Sequence, residues 1–339
     1  MLHENIRLLK KSFSFNRLIN AIKVITSYAI SLIFKRAVYW GSPPIIMIEP
    51  TNICNLKCPL CPSGNGTLKR TKGYMTFDVF KKIIDDSYKT AFMVVLWNQG
   101  EPYLNKDFSR MVKYASDKGL FTLVSTNGNI NYDAEEIVNS GLDSMIVSLD
   151  GTTQETYNKY RINGKLDDVV ANVKNIVAAK KKLKKSNPSL HWQFLVMKHN
   201  EHELEEIKQL AKELEVDNLE LKSIQIYSKD DIANYLPANP KYRRYKINGD
   251  NFELKYGIKN RGRRIWTNAV VNWDGEVAIC CFDKDGDFKV GNVMDTNLSK
   301  LWKNKNITKI RNQILTDRKQ IDICKNCLEG VKVRIEETK

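Results

Sequence analysis

Residues 49–64 read Glu49-Pro-Thr-Asn-Ile-Cys54-Asn-Leu-Lys-Cys58-Pro-Leu-Cys61-Pro-Ser-Gly64. The three cysteines have the spacing C-x3-C-x2-C, and a short apolar segment typical of a buried strand comes directly before them. Three thiolates on one loop reach three irons of a four-iron, four-sulfur ([4Fe-4S]) cubane and leave the fourth iron without a protein ligand. Structural zinc normally takes four ligands, and a redox dithiol needs only two cysteines. The spacing therefore predicts a cluster with one iron open to a small chelating molecule.

Outward from this loop, apolar strands alternate with amphipathic helices from residue 45 to about residue 228. The predicted strands are 45–49, 93–98, 121–125, 144–149, 191–197 and 219–224, and predicted helices between them include 76–87, 106–118, 133–140, 166–183 and 202–215. Such alternation indicates parallel strands joined by crossover helices. Six units predict an α/β fold with a partial (β/α)6 TIM-like barrel, which is open because a closed barrel has eight units.

Polar segments follow the second, third and fourth predicted strands. They read Asn98-Gln-Gly-Glu-Pro102, Val124-Ser-Thr-Asn-Gly128 and Val147-Ser-Leu-Asp-Gly151, and the last is followed by Tyr157 and Arg161. Barrel active sites are built at the carboxyl ends of the strands. Each segment alone is typical of a polar turn, but their order behind successive strands predicts one shared site.

Together with the cysteine loop, these segments resemble the radical S-adenosylmethionine (SAM) superfamily over residues 45–330. The resemblance implies that the cluster cleaves SAM reductively and that the resulting 5′-deoxyadenosyl radical abstracts a hydrogen atom from a substrate. A reductase or a flavodoxin-type protein would supply the electron. The implied cluster ligands are Cys54, Cys58 and Cys61, and the implied SAM contacts are Gly100, Glu101, Ser125, Asn127, Ser148 and Arg161. Gln99 stands where the family usually has glycine, and no catalytic acid or base is assigned.

Four further cysteines lie near the carboxyl end, as Cys280-Cys281 and Cys324-x2-Cys327. The first pair follows a hairpin signal over 270–279, in which Asp274-Gly275 predicts a two-residue turn. This constellation resembles the small cluster-binding domain called SPASM, or its shortened twitch form, and implies one auxiliary [4Fe-4S] cluster. The implied ligands are Cys280, Cys324 and Cys327, with Cys281 as the fourth ligand or with one iron open or bound by another group. Adjacent cysteines on a strand point to opposite faces, which weakens Cys281 as the fourth ligand. Structural zinc at these cysteines is the alternative.

The composition is that of a folded protein, with 339 residues, 42% hydrophobic residues and a formal charge of +15. The odd number of cysteines and their tight grouping exclude a secreted disulfide framework and predict a reducing, cytoplasmic location. The charge calls for an anionic partner. Three regions are predicted: a basic helical extension (1–44), a radical SAM core (45–230) and an auxiliary-cluster domain (231–339).

The extension carries seven basic residues and one acid, Glu4, and its apolar residues predict an amphipathic helix over 15–34. Two interpretations stay open for it. The helix lies in the interface of an acidic membrane, which would place the protein on the inner face of that membrane, or it packs on the barrel.

Two enzymatic functions are consistent with these features. The first is hydrogen abstraction from an anionic small molecule or a lipid-linked sugar, which the basic segment 241–264 and the basic extension favour. The second is maturation of a ribosomal peptide or a protein side chain, although residues 1–44 are too short for the peptide-recognition domain of about 80 residues that such enzymes often carry. An iron–sulfur electron carrier would not need the elements at Glu101, Ser125 and Arg161. A nucleic-acid-binding module is disfavoured, although aromatic residues do accompany the basic ones in 241–264.

Overall fold

The computed structural model describes residues 2–327, 329 and 334–338. Its strands are β1 (Ile45–Ile48), β2 (Met93–Val95), β3 (Phe121–Thr126), β4 (Ser144–Ser148), β5 (Ser189–Val196), β6 (Asn218–Ser223), β7 (Tyr245–Asn248), β8 (Asn251–Leu254), β9 (Asn268–Val271), β10 (Glu276–Ala278), β11 (Gly291–Asn292) and β12 (Arg334–Thr338). One ten-stranded sheet has the order β11-β10-β9-β1-β2-β3-β4-β5-β6-β12, and β7 and β8 pair separately. Strands β1 to β6 are parallel and adjacent in chain order, which confirms the predicted α/β barrel-like core.

The helices are α1 (Leu2–Ser12), α2 (Phe15–Phe34), α3 (Pro62–Asn65), α4 (Phe77–Ser87), α5 (Phe108–Asp117), α6 (Ala134–Asn139), α7 (Gln154–Asn158), α8 (Leu166–Lys182), α9 (Leu204–Glu213), α10 (Lys229–Tyr235), α11 (Arg264–Thr267), α12 (Leu298–Leu301), α13 (Lys305–Asp317) and α14 (Asp322–Lys325). The five helices predicted between the strands are present as α4, α5, α6, α8 and α9. The predicted bounds of these elements lie within three residues of the observed ones, because capping residues such as Thr76 before α4 fix the helix ends locally.

The C-terminal region joins the barrel through the sheet itself. Strand β9 pairs in parallel with β1, and β10 returns antiparallel to β9. The turn between them has three residues, because Asn272 donates from its backbone N–H to the carbonyl of Glu276 and Gly275 adopts a φ of +84°. The predicted two-residue turn at Asp274-Gly275 is therefore wrong by one residue, and the left-handed glycine is the feature of a three-residue hairpin. One hydrophobic core runs from the barrel into residues 265–321.

The N-terminal helices pack beneath the barrel, at the edge where the parallel strands begin. Arg17 of α2 donates to the carbonyl oxygens of Tyr88, Lys118 and Gly119, which close the ends of α4 and α5. Lys11 of α1 forms an ion pair with Asp143, just before β4, at 2.5 Å. The predicted helix over 15–34 matches α2, and the model shows it packed on the barrel, whereas α1 was not predicted.

Helix α2 is the one helix among the described residues that is long and apolar enough to cross a membrane, judged by length and composition alone. Its buried face is polar or small and consists of Arg17, Asn20, Val24, Ser27 and Ser31. Asn20 donates to the carbonyl oxygens of Ser42 and Thr90. These contacts lay the helix along the barrel with its polar side inward.

Candidate active site

The first cysteine group lies on the loop between β1 and α3, at the carboxyl edge of the sheet. Backbone hydrogen bonds shape the loop: the N–H of Cys61 donates to the carbonyl of Cys58 at 3.1 Å, and the N–H of Gly64 donates to that of Cys61 at 2.9 Å. A Cβ on Gly64 would lie 2.6 Å from the backbone nitrogen of Cys58, so only glycine fits there. The fold therefore places Cys54, Cys58 and Cys61 on one rigid turn.

Nitrogen donors surround two of these sulfur atoms. The backbone N–H of Leu56 and the side-chain amide of Asn127 lie 3.5 and 3.7 Å from the Sγ of Cys54, and the guanidinium of Arg161 lies 3.8 Å from the Sγ of Cys58. Burial raises the pKa of the Cys54 thiol to about 12, so this sulfur becomes a thiolate only beside a strong positive charge. Hydrogen-bonded thiolates next to iron are the donor set that [4Fe-4S] clusters use. The loop fits such a cluster.

No group of three or more His, Cys, Asp or Glu side chains within the described residues is close enough to hold a single metal ion. A cubane does not require that arrangement, because each cysteine binds a different iron. Cys54, Cys58 and Cys61 would hold the first cluster, which when bound supplies the electron that cleaves SAM.

Gly100 brings the end of the second strand against the cysteine loop. Its φ is +75°, and an added Cβ would lie 2.5 Å from the carbonyl oxygen of Thr51. Its N–H donates to the hydroxyl of Ser63 at 3.2 Å, while the backbone N–H of Gln99 donates to a carboxylate oxygen of Glu49. Gln99, which replaces the usual glycine, thus leaves the close approach at Gly100 intact.

The carboxyl group of Glu101 is buried and directed at the end of β3. It accepts hydrogen bonds from the backbone N–H of Asn127 at 2.7 Å, the hydroxyl of Thr126 at 2.8 Å and the backbone N–H of Tyr103 at 3.2 Å. Burial nevertheless raises its pKa to about 7. Glu101 therefore fixes the geometry of residues 126–127. Its contact with the ammonium group of SAM stays a prediction.

The two serines proposed to contact SAM have free hydroxyl groups. Ser125 is half-buried on β3, and Ser148 is 7% exposed at the end of β4. In the portion of the chain that the structure describes, neither hydroxyl has a hydrogen-bonding partner. Asn127, by contrast, is held by its side-chain hydrogen bond to Asn55 at 2.8 Å. Ser125 and Ser148 therefore retain the capacity to bind a ligand, whereas Asn127 also positions the cysteine loop.

Arg161 forms a buried ion pair that the sequence did not reveal. Its Nε donates to a carboxylate oxygen of Asp150 at 2.6 Å, and the other oxygen of Asp150 accepts from the backbone N–H of Leu195 at 2.7 Å. Asp150 is fully buried. The pair leaves the Nη1 side of the guanidinium beside Cys58, so Asp150 orients Arg161 toward the cysteine loop.

Glu49 is a second positioning residue that sequence reasoning missed. Both of its carboxylate oxygens accept from the guanidinium of Arg70, at 2.9 and 2.8 Å, and Asn98 donates to it at 3.3 Å. The backbone N–H of Trp273 lies 3.5 Å away. Glu49 thus ties the end of β1 to the loop after β2 and to the β9–β10 hairpin. Its place at a strand end is the only sequence signal, since its partners are distant along the chain.

The second cysteine group surrounds a small cavity of about 30 Å³, whose lining includes Cys280, Cys324 and Cys327. Cys281 does not line this cavity, and its Sγ accepts from Arg264 at 3.6 Å. Burial raises the pKa of the Cys280 and Cys324 thiols, so these sulfurs also need a bound cation to ionise. Three converging cysteines fit an auxiliary cluster. Cys280 and Cys281 lie beyond the end of β10 at Ala278, so the strand argument against Cys281 does not apply, and Cys281 as the fourth ligand stays a prediction.

A larger cavity of about 390 Å³ lies between the second cysteine group and the segment after β2 that begins at Asn98. It is lined by Met47, Val95, Trp97, Asn98, Gln99, Gln225, Arg264, Asn268, Val270, Cys280, Cys281, Phe282 and Lys284. Its wall therefore combines apolar side chains, amide groups and two cations. Arg264 is the only member of the basic segment 241–264 in the wall, among the residues the structure describes. The cavity thus connects Asn98 and Gln99, which come directly before the predicted SAM contacts Gly100 and Glu101, with the second cysteine group.

Two family models match the chain. The model of the radical SAM superfamily matches residues 48–214, and that of SPASM, an iron–sulfur cluster-binding domain, matches residues 263–328. The chain therefore belongs to the radical SAM superfamily and carries a SPASM domain. It is an enzyme that uses SAM and [4Fe-4S] clusters, which confirms the class and the cofactors predicted from the sequence.

Two curated relatives illustrate the range of substrates. The chain is 29% identical over 194 residues to the PqqA peptide cyclase of Bradyrhizobium diazoefficiens, a match that covers 56% of this chain and 48% of that protein. It is 25% identical over 313 residues to the tungsten-containing aldehyde ferredoxin oxidoreductase cofactor-modifying protein of Pyrococcus furiosus, covering 83% and 86%. The first match thus spans about half of the peptide cyclase.

A solved structure supports the fold. SuiB of Streptococcus suis, in complex with its precursor peptide SuiA, superposes with a TM-score of 0.60 at 15% identity, over 87% of this chain and 71% of that one. At this identity the likeness shows the shared barrel architecture alone.

The raised pKa of Glu101 leads to a measurable pH dependence. Because its folded pKa of about 7 exceeds the usual 4.5, the neutral form stabilises the fold below pH 4.5, and this contribution is lost as the pH rises through 7. The loss amounts to about 3 kcal/mol. Anaerobic urea unfolding of Glu101→Gln should show a flatter pH profile than the wild type between these values. Equal pH profiles for the two proteins would contradict the raised pKa of Glu101.

The predicted contact between Glu101 and SAM is tested by a second variant. Glu101→Ala should weaken SAM binding.

Proposed function

We propose that this enzyme removes a hydrogen atom from a side chain of a ribosomally made peptide or of a protein. The observation that carries the proposal is the cavity of about 390 Å³ between the second cysteine group and the segment after β2. Its volume suits one or two side chains, so a larger substrate would insert a residue and keep the rest outside.

The chemistry of the cavity wall supports a peptide. Asn98, Gln99, Gln225 and Asn268 present amide groups there. The side-chain amide oxygen (Oδ1) of Asn98 is buried and has no hydrogen-bonding partner within the described part of the chain. A buried acceptor without a partner is costly, and the N–H of a peptide bond would satisfy it. One of the named relatives agrees, because it is a peptide cyclase.

A small anionic molecule is the second candidate, and the cations in the wall favour it. Arg264 and Lys284 both line the cavity, and either would pair with a carboxylate or a phosphate. The Pyrococcus furiosus relative, whose match covers most of both chains, is named for modifying a cofactor. This candidate retains the substrate class expected from the basic composition, including lipid-linked sugars.

Within the site, the chain's own residues would bind and orient the reactants. The free hydroxyls of Ser125 and Ser148 and the guanidinium of Arg161 would hold SAM, with Gly100 allowing close approach of the backbone. Asp150 and Glu49 would keep these groups in place through their buried ion pairs. Trp97 and Phe282 would exclude water from the cavity, which protects a reactive radical from side reactions.

The two candidate substrates are distinguished by which fraction of a cell extract speeds SAM cleavage by the enzyme. Anaerobically reconstituted holoenzyme is incubated with SAM, a reductant and fractions of a cell extract, and 5′-deoxyadenosine is measured by chromatography. Slow release is expected without substrate. We expect the macromolecular fraction to speed this release and protease treatment to abolish the effect.

Stimulation by the small-molecule filtrate instead would support the second candidate. A Cys54→Ala variant is the control and should release no 5′-deoxyadenosine with any fraction. Formation of methylthioadenosine alone, or of a methylated product without 5′-deoxyadenosine, would reject hydrogen abstraction altogether.

A further inference from the structure

The N-terminal helices expose an unusually apolar surface. Eleven of the sixteen exposed large hydrophobic side chains in the described residues lie within residues 6–40. This N-terminal apolar face consists of Ile6, Leu9, Phe13, Phe15, Leu18, Ile19, Ile22, Ile25, Ile33, Phe34 and Trp40. Most are more than half exposed, up to 73% at Ile33. Apolar patches of this kind on a folded protein mark binding surfaces.

The orientation of α2 follows from its polar contacts with the barrel. Arg17 and Asn20 point inward because they satisfy backbone carbonyl oxygens at the ends of α4, α5 and the linker before β1. The apolar side of the same helix must then face outward. An ordinary surface helix buries its apolar side, so this reversed arrangement needs an apolar environment outside the molecule.

Positive charge surrounds the N-terminal apolar face. Arg7, Lys11 and Arg17 are used in contacts with the barrel. Lys10, Lys23, Lys35 and Arg36 remain exposed and form no ion pair with a described residue. The only acid in residues 1–44, Glu4, is held by Ser144 at 2.7 Å and His191. The free charge around the face is therefore all positive.

A basic cavity of about 380 Å³ opens beside α2. It is lined by Asn16, Ile19, Asn20, Lys23, Gly41, Ser42, Lys89, Thr90 and Lys303. We call it the lysine pocket. No acidic side chain lines it, and none of its three lysines has a carboxylate partner in the described chain. Three ammonium groups without carboxylate partners suit a phosphate group.

We propose that the N-terminal apolar face docks on an anionic lipid bilayer and that the lysine pocket receives a lipid phosphate. Amphipathic helices of this type bury their apolar side in the boundary between head groups and acyl chains, while basic residues contact acidic head groups. A second copy of the chain is a poorer occupant, because a symmetric dimer through this face would bring Lys10, Lys23, Lys35 and Arg36 of both copies together.

Docking in this way would leave the active site accessible. The apolar face lies at the edge where the parallel strands begin, and the cysteine loop lies at the opposite edge. The substrate cavity would therefore face away from the membrane, toward a soluble peptide and an electron donor. A lipid-linked substrate in the same bilayer would have to extend along the whole barrel to reach the cavity.

The experiment uses flotation of the full-length holoenzyme with vesicles of phosphatidylcholine, alone or mixed with phosphatidylglycerol. We expect binding to the mixed vesicles only, and a steep loss of binding with added salt. The double variant Ile22→Gln/Ile25→Gln should lose most binding. Its matched control is Tyr256→Gln/Met294→Gln, which removes side chains of similar exposure outside the face and should bind like the wild type.

Charge variants test the lysine pocket separately. Replacing Lys23, Lys89 and Lys303 with Gln should weaken binding about a hundredfold, since each basic residue near an anionic surface contributes about fivefold. Replacing the exposed Lys174, Lys212 and Lys246 removes the same charge elsewhere and should change binding little. Undiminished binding by the Ile22→Gln/Ile25→Gln variant would overturn the proposal. Failure of the wild-type holoenzyme to bind the mixed vesicles would also overturn it. If that protein instead dimerised, and the Ile22→Gln/Ile25→Gln variant did not, the face would belong to a second copy of the chain.

Discussion

Replacing Cys54, Cys58 and Cys61 together with Ala should remove about four of about eight irons from anaerobically reconstituted protein and abolish SAM cleavage. The loop itself should survive, because its turn is held by backbone hydrogen bonds from Cys61 and Gly64 rather than by the thiol groups. Iron is measured by colorimetric assay, and SAM cleavage by chromatography of 5′-deoxyadenosine.

The matched control is the double variant Cys324→Ala/Cys327→Ala. It should lose the other irons and keep those of the first loop, together with slow SAM cleavage. This asymmetry follows because Cys324 and Cys327 line the small cavity together with Cys280, whereas no cysteine of the first loop lines it. Zinc at Cys280, Cys324 and Cys327, with iron at the first loop only, would contradict the auxiliary cluster and leave the SAM-cleaving site intact.

Much of the barrel could be predicted because its signals are local. Each strand from β1 to β6 contains a local apolar pattern, and the intervening helices have apolar faces, with side-chain caps at Thr76 before α4 and at Asp133 before α6. The place of β9 beside β1 could not be predicted in this way. It depends on pairing between residues that are more than two hundred positions apart, such as Ile46 with Ala269.

The same distinction applies to the site. The residues within the motifs, such as Cys58 and Arg161, were predicted because each motif follows a predicted strand at a short, recognisable spacing. The positioning residues Asp150 and Glu49 were missed, because they also accept from the backbone N–H groups of Leu195 and Trp273, which lie 45 and 224 positions further along the chain. Unpaired cavity groups such as the side-chain amide oxygen of Asn98 can be found only once the neighbours are known.

The N-terminal helix shows a different limit. The sequence of α2 predicts where the helix begins and ends and that it has an apolar and a polar face. A surface helix usually buries its apolar face, which would turn that face toward the barrel. The structure reverses this because the ends of α4 and α5 present carbonyl oxygens that no helix can satisfy internally. Arg17 donates to three of them. Helix ends elsewhere in the chain thus decide which side of α2 is exposed.

The buried pair between Arg161 and Asp150 leads to the second large effect. Asp150→Ala should lower the free energy of unfolding by about 3–5 kcal/mol, because it leaves the Arg161 guanidinium buried without its counter-charge. The backbone N–H of Leu195 also loses its acceptor. SAM affinity should fall as well, since Arg161 would no longer be held beside Cys58. Urea unfolding and equilibrium dialysis with SAM measure the two effects.

Two comparisons separate the charge of Asp150 from its hydrogen bonds. Asp150→Asn keeps an oxygen for Leu195 but removes the charge, so it should recover part of the stability and little of the SAM affinity. Asp117→Ala breaks an exposed ion pair with Lys113 at 3.1 Å and should leave both quantities unchanged, because pairs in water contribute little. If Asp150→Ala unfolded at the same urea concentration as the wild type and bound SAM equally well, Arg161 would not depend on Asp150. The cysteine loop would then have to orient the guanidinium alone, through the contact of 3.8 Å at Cys58.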